Sequence, residues 1–206
     1  MVSIPTPVAG YASAVVDNKI YIIGGISGAL GVKTSTHIVQ IFDPETSQWT
    51  NGTSMPTWIY GAAACSTSGL FAPKRIYVVG GRLYSCGANY NHVYDPETGI
   101  WSSAASLPDN RWHASLVNIN DTLYAIGGLN GTTSVPSNYD WEAANQLVST
   151  TRVQATWKYT PTGYNPNPLT APSTIDDYTA SFSNTNSRHC SNSRCCRYSS
   201  LPQETP

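Results

Sequence analysis

The sequence predicts an all-β fold built from about three repeats of one four-stranded unit. Three observations carry that expectation. An apolar run ending in two glycines occurs three times, a Pro-containing turn precedes each run, and Asp-Pro-Glu-Thr followed by tryptophan comes after the first two. A search for a repeat precedes any assignment of elements, because a missed period changes the whole architecture.

The glycine pairs close KIYIIGG at Gly24-Gly25, RIYVVGG at Gly80-Gly81 and TLYAIGG at Gly127-Gly128, at spacings of 56 and 47 residues. Glycine at the end of an apolar strand admits dihedrals closed to residues with a Cβ and lets a neighbouring chain approach closely. Three such pairs after similar strands argue against ordinary turns. IPTPVAGYASAVV from Ile4, MPTWIYGAAACS from Met55 and LPDNRWHASLV from Leu107 each begin with a turn and continue into small and β-branched residues.

IFDPETSQW runs from Ile41 to Trp49 and VYDPETGIW from Val93 to Trp101, with Asp43 and Asp95 each six residues before the tryptophan. Asp caps a turn through its own side chain and Pro fixes the next φ, so the stretch joins two antiparallel strands. Asp43 with Glu45 and Asp95 with Glu97 could be offered as acid/base pairs, but repetition at the same place favours the structural role. Phe42, Tyr94, Trp49 and Trp101 suit the gap where one twisted sheet packs on the next. Loss of either tryptophan would cost about 3–5 kcal/mol if it were fully buried.

Short segments bounded by Gly, Pro, Asn and Asp read as strands. They fall near 9–16, 20–25, 37–43 and 48–54 in the first unit, near 60–67, 75–81, 90–95 and 100–105 in the second, and near 113–119 and 122–128 in the third.

Double glycine, an aromatic before Asp-Pro, and Trp six residues after the Asp, at a period near fifty, resemble the kelch repeat. The resemblance covers residues 4–128 and implies four-stranded β-propeller blades arranged about a central channel. The units are 1–54, 55–106 and a degenerate third at 107–165 with an insertion at about 129–154. TWKYTPTGY, Thr156 to Tyr164, is similar to the kelch outer-strand segment with Thr160 replacing the Asp; the alternative puts that strand at Tyr139-Asp140, before Trp141. Residues 166–206, rich in Pro, Ser, Thr and Asn, read as a linker and disordered tail.

Three blades do not close a ring, since such propellers use about four to eight. The chain is therefore expected to be a piece of a longer propeller, or to complete a ring by self-association through its open blade edges. A start at a blade's PTP turn and the lack of a matching terminal strand favour the first.

Charged residues make up 11% and the net charge is -1, which supplies no footprint for nucleic acid. No stretch is long and apolar enough for a spanning helix. Five cysteines, three of them near the end, do not form a disulfide scaffold; Cys65 and Cys86 are either bridged or free and buried. His37, His92 and His113 lie in different units without neighbours at ligand spacing, so no metal or cofactor is expected there. His189, Cys190, Cys195 and Cys196 have the residue types for zinc, in a segment that seldom supplies ordered support.

No phosphate loop or nucleophile elbow is present, and no catalytic residue is assigned. The expected function is a non-enzymatic scaffold binding a protein or glycan through loops on a rigid frame. The alternative is an enzyme similar to galactose oxidase or the sialic acid mutarotases, since the fold does not exclude catalysis. Tentative contacts are Trp58, Tyr60, Arg82, Tyr84, Arg111 and Trp112, of the types enriched at binding hot spots. For the mutually aligned Tyr60 and Trp112, packing within the repeat is the favoured role over contact. Low charge and a Tyr/Ser/Thr/Asn-rich surface lean toward an extracellular or cell-surface setting.

Overall fold

The computed structural model describes residues 2–28, 34–83, 86–131, 150–152, 155–168 and 181–184. They form strands and connections, with no helix among them. Blade 1 is an antiparallel sheet in the order β1 (Ala12–Val16), β2 (Lys19–Ser27), β3 (Thr34–Asp43) and β4 (Gln48–Gly52). Blade 2 repeats it with β5 (Tyr60–Ser66), β6 (Ile76–Leu83), β8 (Asn91–Tyr94) and β9 (Trp101–Ser103), and the short β7 (Cys86–Gly87) turns back onto β6. Blade 3 orders β10 (Ser115–Ile119), β11 (Thr122–Ile126), β14 (Thr156–Thr160) and β15 (Ser181–Asn184). The third-blade insertion opens and closes with its own pair, β12 (Leu129–Gly131) and β13 (Thr150–Arg152).

Thr156–Thr160 thus takes the third place in its sheet, beside β11. The alternative strand at Tyr139-Asp140 lies outside the described residues. One expectation is corrected: the stretch from 166 onward holds a strand, because Ser181–Asn184 pairs with Trp157–Thr160 and completes the fourth position. The physical reason is the β14 edge, whose free N–H and C=O groups accept a partner strand through main-chain bonds alone.

Turn chemistry sets the hairpins. Asp17 and Asn18 join β1 to β2 with φ of 48° and 58°, and Asn120 and Asp121 join β10 to β11 with 50° and 56°. Both fit the two-residue turn whose central positions need positive φ, which Asn and Asp tolerate best. Asp43 Oδ1 accepts the N–H groups of Glu45 (2.9 Å) and Thr46 (3.3 Å), and Asp95 Oδ1 those of Glu97 (3.0 Å) and Thr98 (3.4 Å). The two Asp-Pro-Glu-Thr turns are the same structure made twice.

Between blades the sheets pack face to face. In the first seam Ala12, Ala14, Val16, Tyr21, Ile23 and Val39 meet Ile76, Val78 and Tyr94, with Met55 and Ile59 of the linker between them. In the second, Ala63 and Val79 meet Ala125 and Trp157, and Tyr77 packs on Tyr159 at 5.7 Å. Main-chain bonds repeat across the seams: Gly25 N–H to Ile59 O (2.9 Å) and Gly81 N–H to Arg111 O (2.6 Å). Along the inner edge Gly61 N–H reaches Gly10 O (2.7 Å) and His113 N–H reaches Gly61 O (2.8 Å). The first glycine of each pair is needed for this approach. Gly24 and Gly80 have φ of 64° and 67°, and a Cβ on Gly24 would lie 2.7 Å from Ile59 O.

A buried carboxylate ties blade 3 to blade 2. Asp121 accepts from the N–H groups of Ser68 (2.6 Å), Phe71 (2.8 Å) and Ala72 (3.1 Å) and from the Ser68 hydroxyl (2.9 Å). Burial works to raise its pKa, yet these bonds outweigh it and hold the carboxyl below its usual range.

The strip at the first blade seam and the candidate functional site

The two ends of the blades differ. One carries the tight hairpins and Asp-Pro turns; the other carries the β2–β3 type connections and the linkers from blade to blade, the longer connecting segments.

At that second end an aromatic strip crosses the first seam. Trp58, on the linker and 47% exposed, stacks on His37 of β3 with ring centroids 4.5 Å apart and planes 20° from parallel. Next to it, Thr57 Oγ1 and the His92 Nε2 of β8 share a hydrogen bond of 2.7 Å. The His92 ring lies 5.2 Å from Tyr90, which is 36% exposed, and meets Trp101 edge-on at 6.3 Å. Burial pushes the His92 imidazole below its ordinary pKa, so it is neutral at pH 7. Its Nδ1 has no hydrogen-bond partner among the described residues.

Local sequence builds the strip. Pro5-Thr6 and Pro56-Thr57 stand at the same place in successive units. In blade 1 Thr6 is held by Gln40, whose Oε1 accepts the Thr6 N–H (2.8 Å) while its Nε2 donates to Thr6 O (2.9 Å). His92 is the blade 2 counterpart of Gln40, since each pairs with the strand residue two before the first glycine, Ile22 and Val78. Likewise Trp49 Nε1–H donates to Val2 O (3.4 Å) and Trp101 Nε1–H to Thr53 O (2.8 Å).

Of the six contacts expected from sequence, Trp58 alone is exposed and stands in this strip. Tyr84 lies outside the described residues. Arg82 and Arg111 correct the expectation of loop exposure, while Tyr60 and Trp112 take the packing role favoured for them. Arg82 sits with its guanidinium 5.8 Å from the Tyr60 ring centroid and 5.2 Å from that of Trp112, and all three are buried. Tyr60 pairs with Arg82 across β5 and β6, and Trp112 bridges to Leu129, so packing claims both aromatics. Arg111 is 0% exposed: it lies over Trp157 at 3.5 Å, donates to Gly127 O (2.6 Å) and pairs with Asp109 at 3.2 Å. A desolvated guanidinium with an aromatic face and an ion partner is a structural brace.

Sequence reasoning does not single out His37, His92 and Tyr90 as contacts, because a lone histidine or tyrosine beside a strand reads as structural. The matching Pro-Thr positions were the signal that could have found them. The inner strands wall an open depression of about 350 Å³ lined by Ser13, Val15, Ala64, Cys65, Ser66 and Asn118. Cys65 is free, and burial pushes its thiol up to about 12, far from thiolate reactivity. Cys65 opposes Tyr77 whereas Cys86 opposes Leu83, about 20 Å further along β6, so the bridge left open by the sequence does not form. Among the described residues no three His, Cys, Asp or Glu side chains gather as a metal site, and no helix is long and apolar enough to cross a membrane. His189, Cys190, Cys195 and Cys196 lie outside the described residues.

Three sheets of this order, stacked through glycine pairs, are propeller-type blades, and the described residues do not by themselves close a ring. The kelch motif matches residues 7–56 and 63–108. The "Kelch-like protein terF" of Aspergillus terreus is 32% identical over 127 residues, covering 58% of this chain and 27% of that protein. The "Spermatocyte protein spe-26" of Caenorhabditis elegans is 30% identical over 134 residues, covering 62% of this chain and 22% of that protein. A solved structure titled "Structure of YjhT" superposes with a TM-score of 0.57 at 19% identity, over 76% of this chain and 50% of that one, a likeness of fold alone. The chain carries kelch repeats and is similar in sequence and fold to kelch-repeat β-propeller proteins. It spans about a quarter of the length of these curated relatives.

Proposed function

We propose that this chain is a non-catalytic binding scaffold that engages a protein partner at the loop end of its first blade seam. The supporting observation is the strip of His37, Trp58, Thr57, His92 and Tyr90, in which a half-exposed tryptophan is held rigid by stacking. A preordered aromatic loses little freedom on contact, which is why tryptophan and tyrosine dominate binding hot spots. The kelch-like names of its relatives agree with a scaffold role.

The test is selection of binders from a random-peptide display library on the immobilised chain, alongside a glycan array. Selected peptides are expected to lose at least tenfold in affinity on Trp58→Ala and to be unaffected by Leu70→Ser, an exposed control on the β5–β6 connection. Peptides indifferent to Trp58→Ala, or glycan ligands alone, would contradict the proposal.

A further inference from the structure

Each blade has a leading face toward the blade before it and a trailing face toward the blade after it. Register identifies equivalent positions: Ile23 of β2, Val79 of β6 and Ile126 of β11 each precede the first glycine of their pair and point to the trailing side. Ile23 is 1% exposed and Val79 2%, whereas Ile126 is 43% exposed. The β1 residues Ala12, Ala14 and Val16 are buried, but their β10 counterparts Ser115, Val117 and Ile119 are exposed. Among the described residues the trailing face of blade 3 therefore keeps the apolar residues of a seam, Val117, Ile119 and Ile126, without a sheet packed on them.

The main chain repeats the message. Gly25 and Gly81 give their N–H groups to the linker of the next blade, at Ile59 and Arg111. Among the described residues no carbonyl receives the N–H of Gly128, the third member of the series.

A matching surface exists on blade 1. Its leading face carries Ile20, Ile22, Phe42 and Trp49, the register counterparts of Ile76, Val78, Tyr94 and Trp101, which form the blade 2 side of the first seam. Ile76, Val78 and Tyr94 are buried there, while Ile20 and Phe42 remain half-buried. The three-blade body also corresponds to 50% of the YjhT chain of like fold, so the missing half of such a ring is about three blades.

We propose that the trailing face of blade 3 seats the leading face of blade 1 of a second copy of this chain, and that two copies close a two-fold ring of six blades. The contact is head-to-tail, and closure at two copies forms two identical seams instead of an open filament. It continues a packing that the chain already makes twice, with the same residue types on both sides.

The test is sedimentation equilibrium on the 206-residue chain across micromolar concentrations. A particle of twice the 22.2 kDa chain mass is expected. Ile126→Lys on the trailing face, and separately Ile20→Glu or the more exposed Val15→Glu on the leading face, are each expected to weaken self-association at least tenfold, with the near-ultraviolet circular dichroism of a folded chain retained. Mixing an Ile126→Lys chain with a Val15→Glu chain is expected to restore a dimer, because one seam between them stays unmodified. A wild-type monomer at all concentrations would overturn the proposal, leaving the free face to further blades of a longer polypeptide. Open-ended oligomers, or a dimer indifferent to both substitutions, would overturn it as well.

Discussion

Replacing Gly80 by alanine adds one methyl group at the point where blade 2 meets the linker into blade 3. The new Cβ would fall on the Arg111 carbonyl oxygen and its carbon, with Leu107 Cδ1 at 3.4 Å, in a backbone held at a φ of 67°. The left-handed conformation alone costs an alanine about 1–2 kcal/mol. Because the obstacle is backbone, the linker must withdraw, which lengthens or breaks the 2.6 Å bond from Gly81 N–H to Arg111 O, worth about 1 kcal/mol. Repacking around the displaced chain adds about 1–2 kcal/mol, for a total near 3–5 kcal/mol. Gly10→Ala is the internal control: its φ is 60°, yet its Cβ would meet nothing nearer than Gly61 N at 3.8 Å. It is expected to cost about 1–2 kcal/mol. Urea midpoints at unchanged m-value measure both. If the two variants lose the same stability, the glycine pair serves backbone freedom and not blade contact, and the seam argument fails.

His92→Gln, which installs the blade 1 residue at the matching position, is expected to keep the bond to Thr57 and to reduce the acid sensitivity of the fold. His92 and His113 both have pKa values lowered by burial from 6.5, with Arg82 adding repulsion at His113. The unfolded chain therefore takes up protons first, so stability is full above pH 6.5 and falls as pH drops toward the folded pKa values. Urea midpoints between pH 7.5 and 5 should show a shallower slope in the variant; an unchanged slope in His92→Gln/His113→Gly would contradict the burial argument. Asp121→Asn is expected to cost about 2–4 kcal/mol by chemical denaturation, since an amide offers one acceptor oxygen where Ser68, Phe71 and Ala72 now use two. Trp101→Phe removes the donor to Thr53 O and should cost about 1 kcal/mol in the same assay.

The parts of the fold legible in the sequence are those fixed by local chemistry repeated in register. Gly24-Gly25 and Gly80-Gly81 mark the two seams, Gly127-Gly128 marks the matching strand of blade 3, and Asp43 and Asp95 mark the outer hairpins. Observed strands begin and end within a few residues of the expected ones; β1 starts later, at Ala12 after the Ala9 bridge to Ile26, β3 starts earlier, at Thr34, and β14 ends earlier, at Thr160. β15 was not legible, because Ser-Phe-Ser-Asn has too few residues to show a period and owes its place to the edge of β14. The tryptophan cost expected for full burial also falls, since Trp49 and Trp101 are only half-buried.

At the candidate site the sequence singles out Trp58, which stands exposed in the strip, and none of the residues around it. Arg82 and Arg111 look like loop contacts in sequence, but partners from other elements bury them: Tyr60 and Trp112 for the first, Trp157 for the second. Composition at one position carries no sign of a partner 46 residues away. Thr57 and His92 were recoverable through Thr6 and Gln40, because a repeat lets one unit report on the other.

Stacking of kelch blades through glycine-mediated main-chain bonds is tested most directly by amide hydrogen exchange resolved at single residues. The N–H groups of Gly25, Gly61, Gly81 and His113 are expected to exchange together, at rates set by global unfolding, because each bond spans two blades. Exchange of these four at the rate of exposed loops, while strand amides within each blade stay protected, would contradict the account.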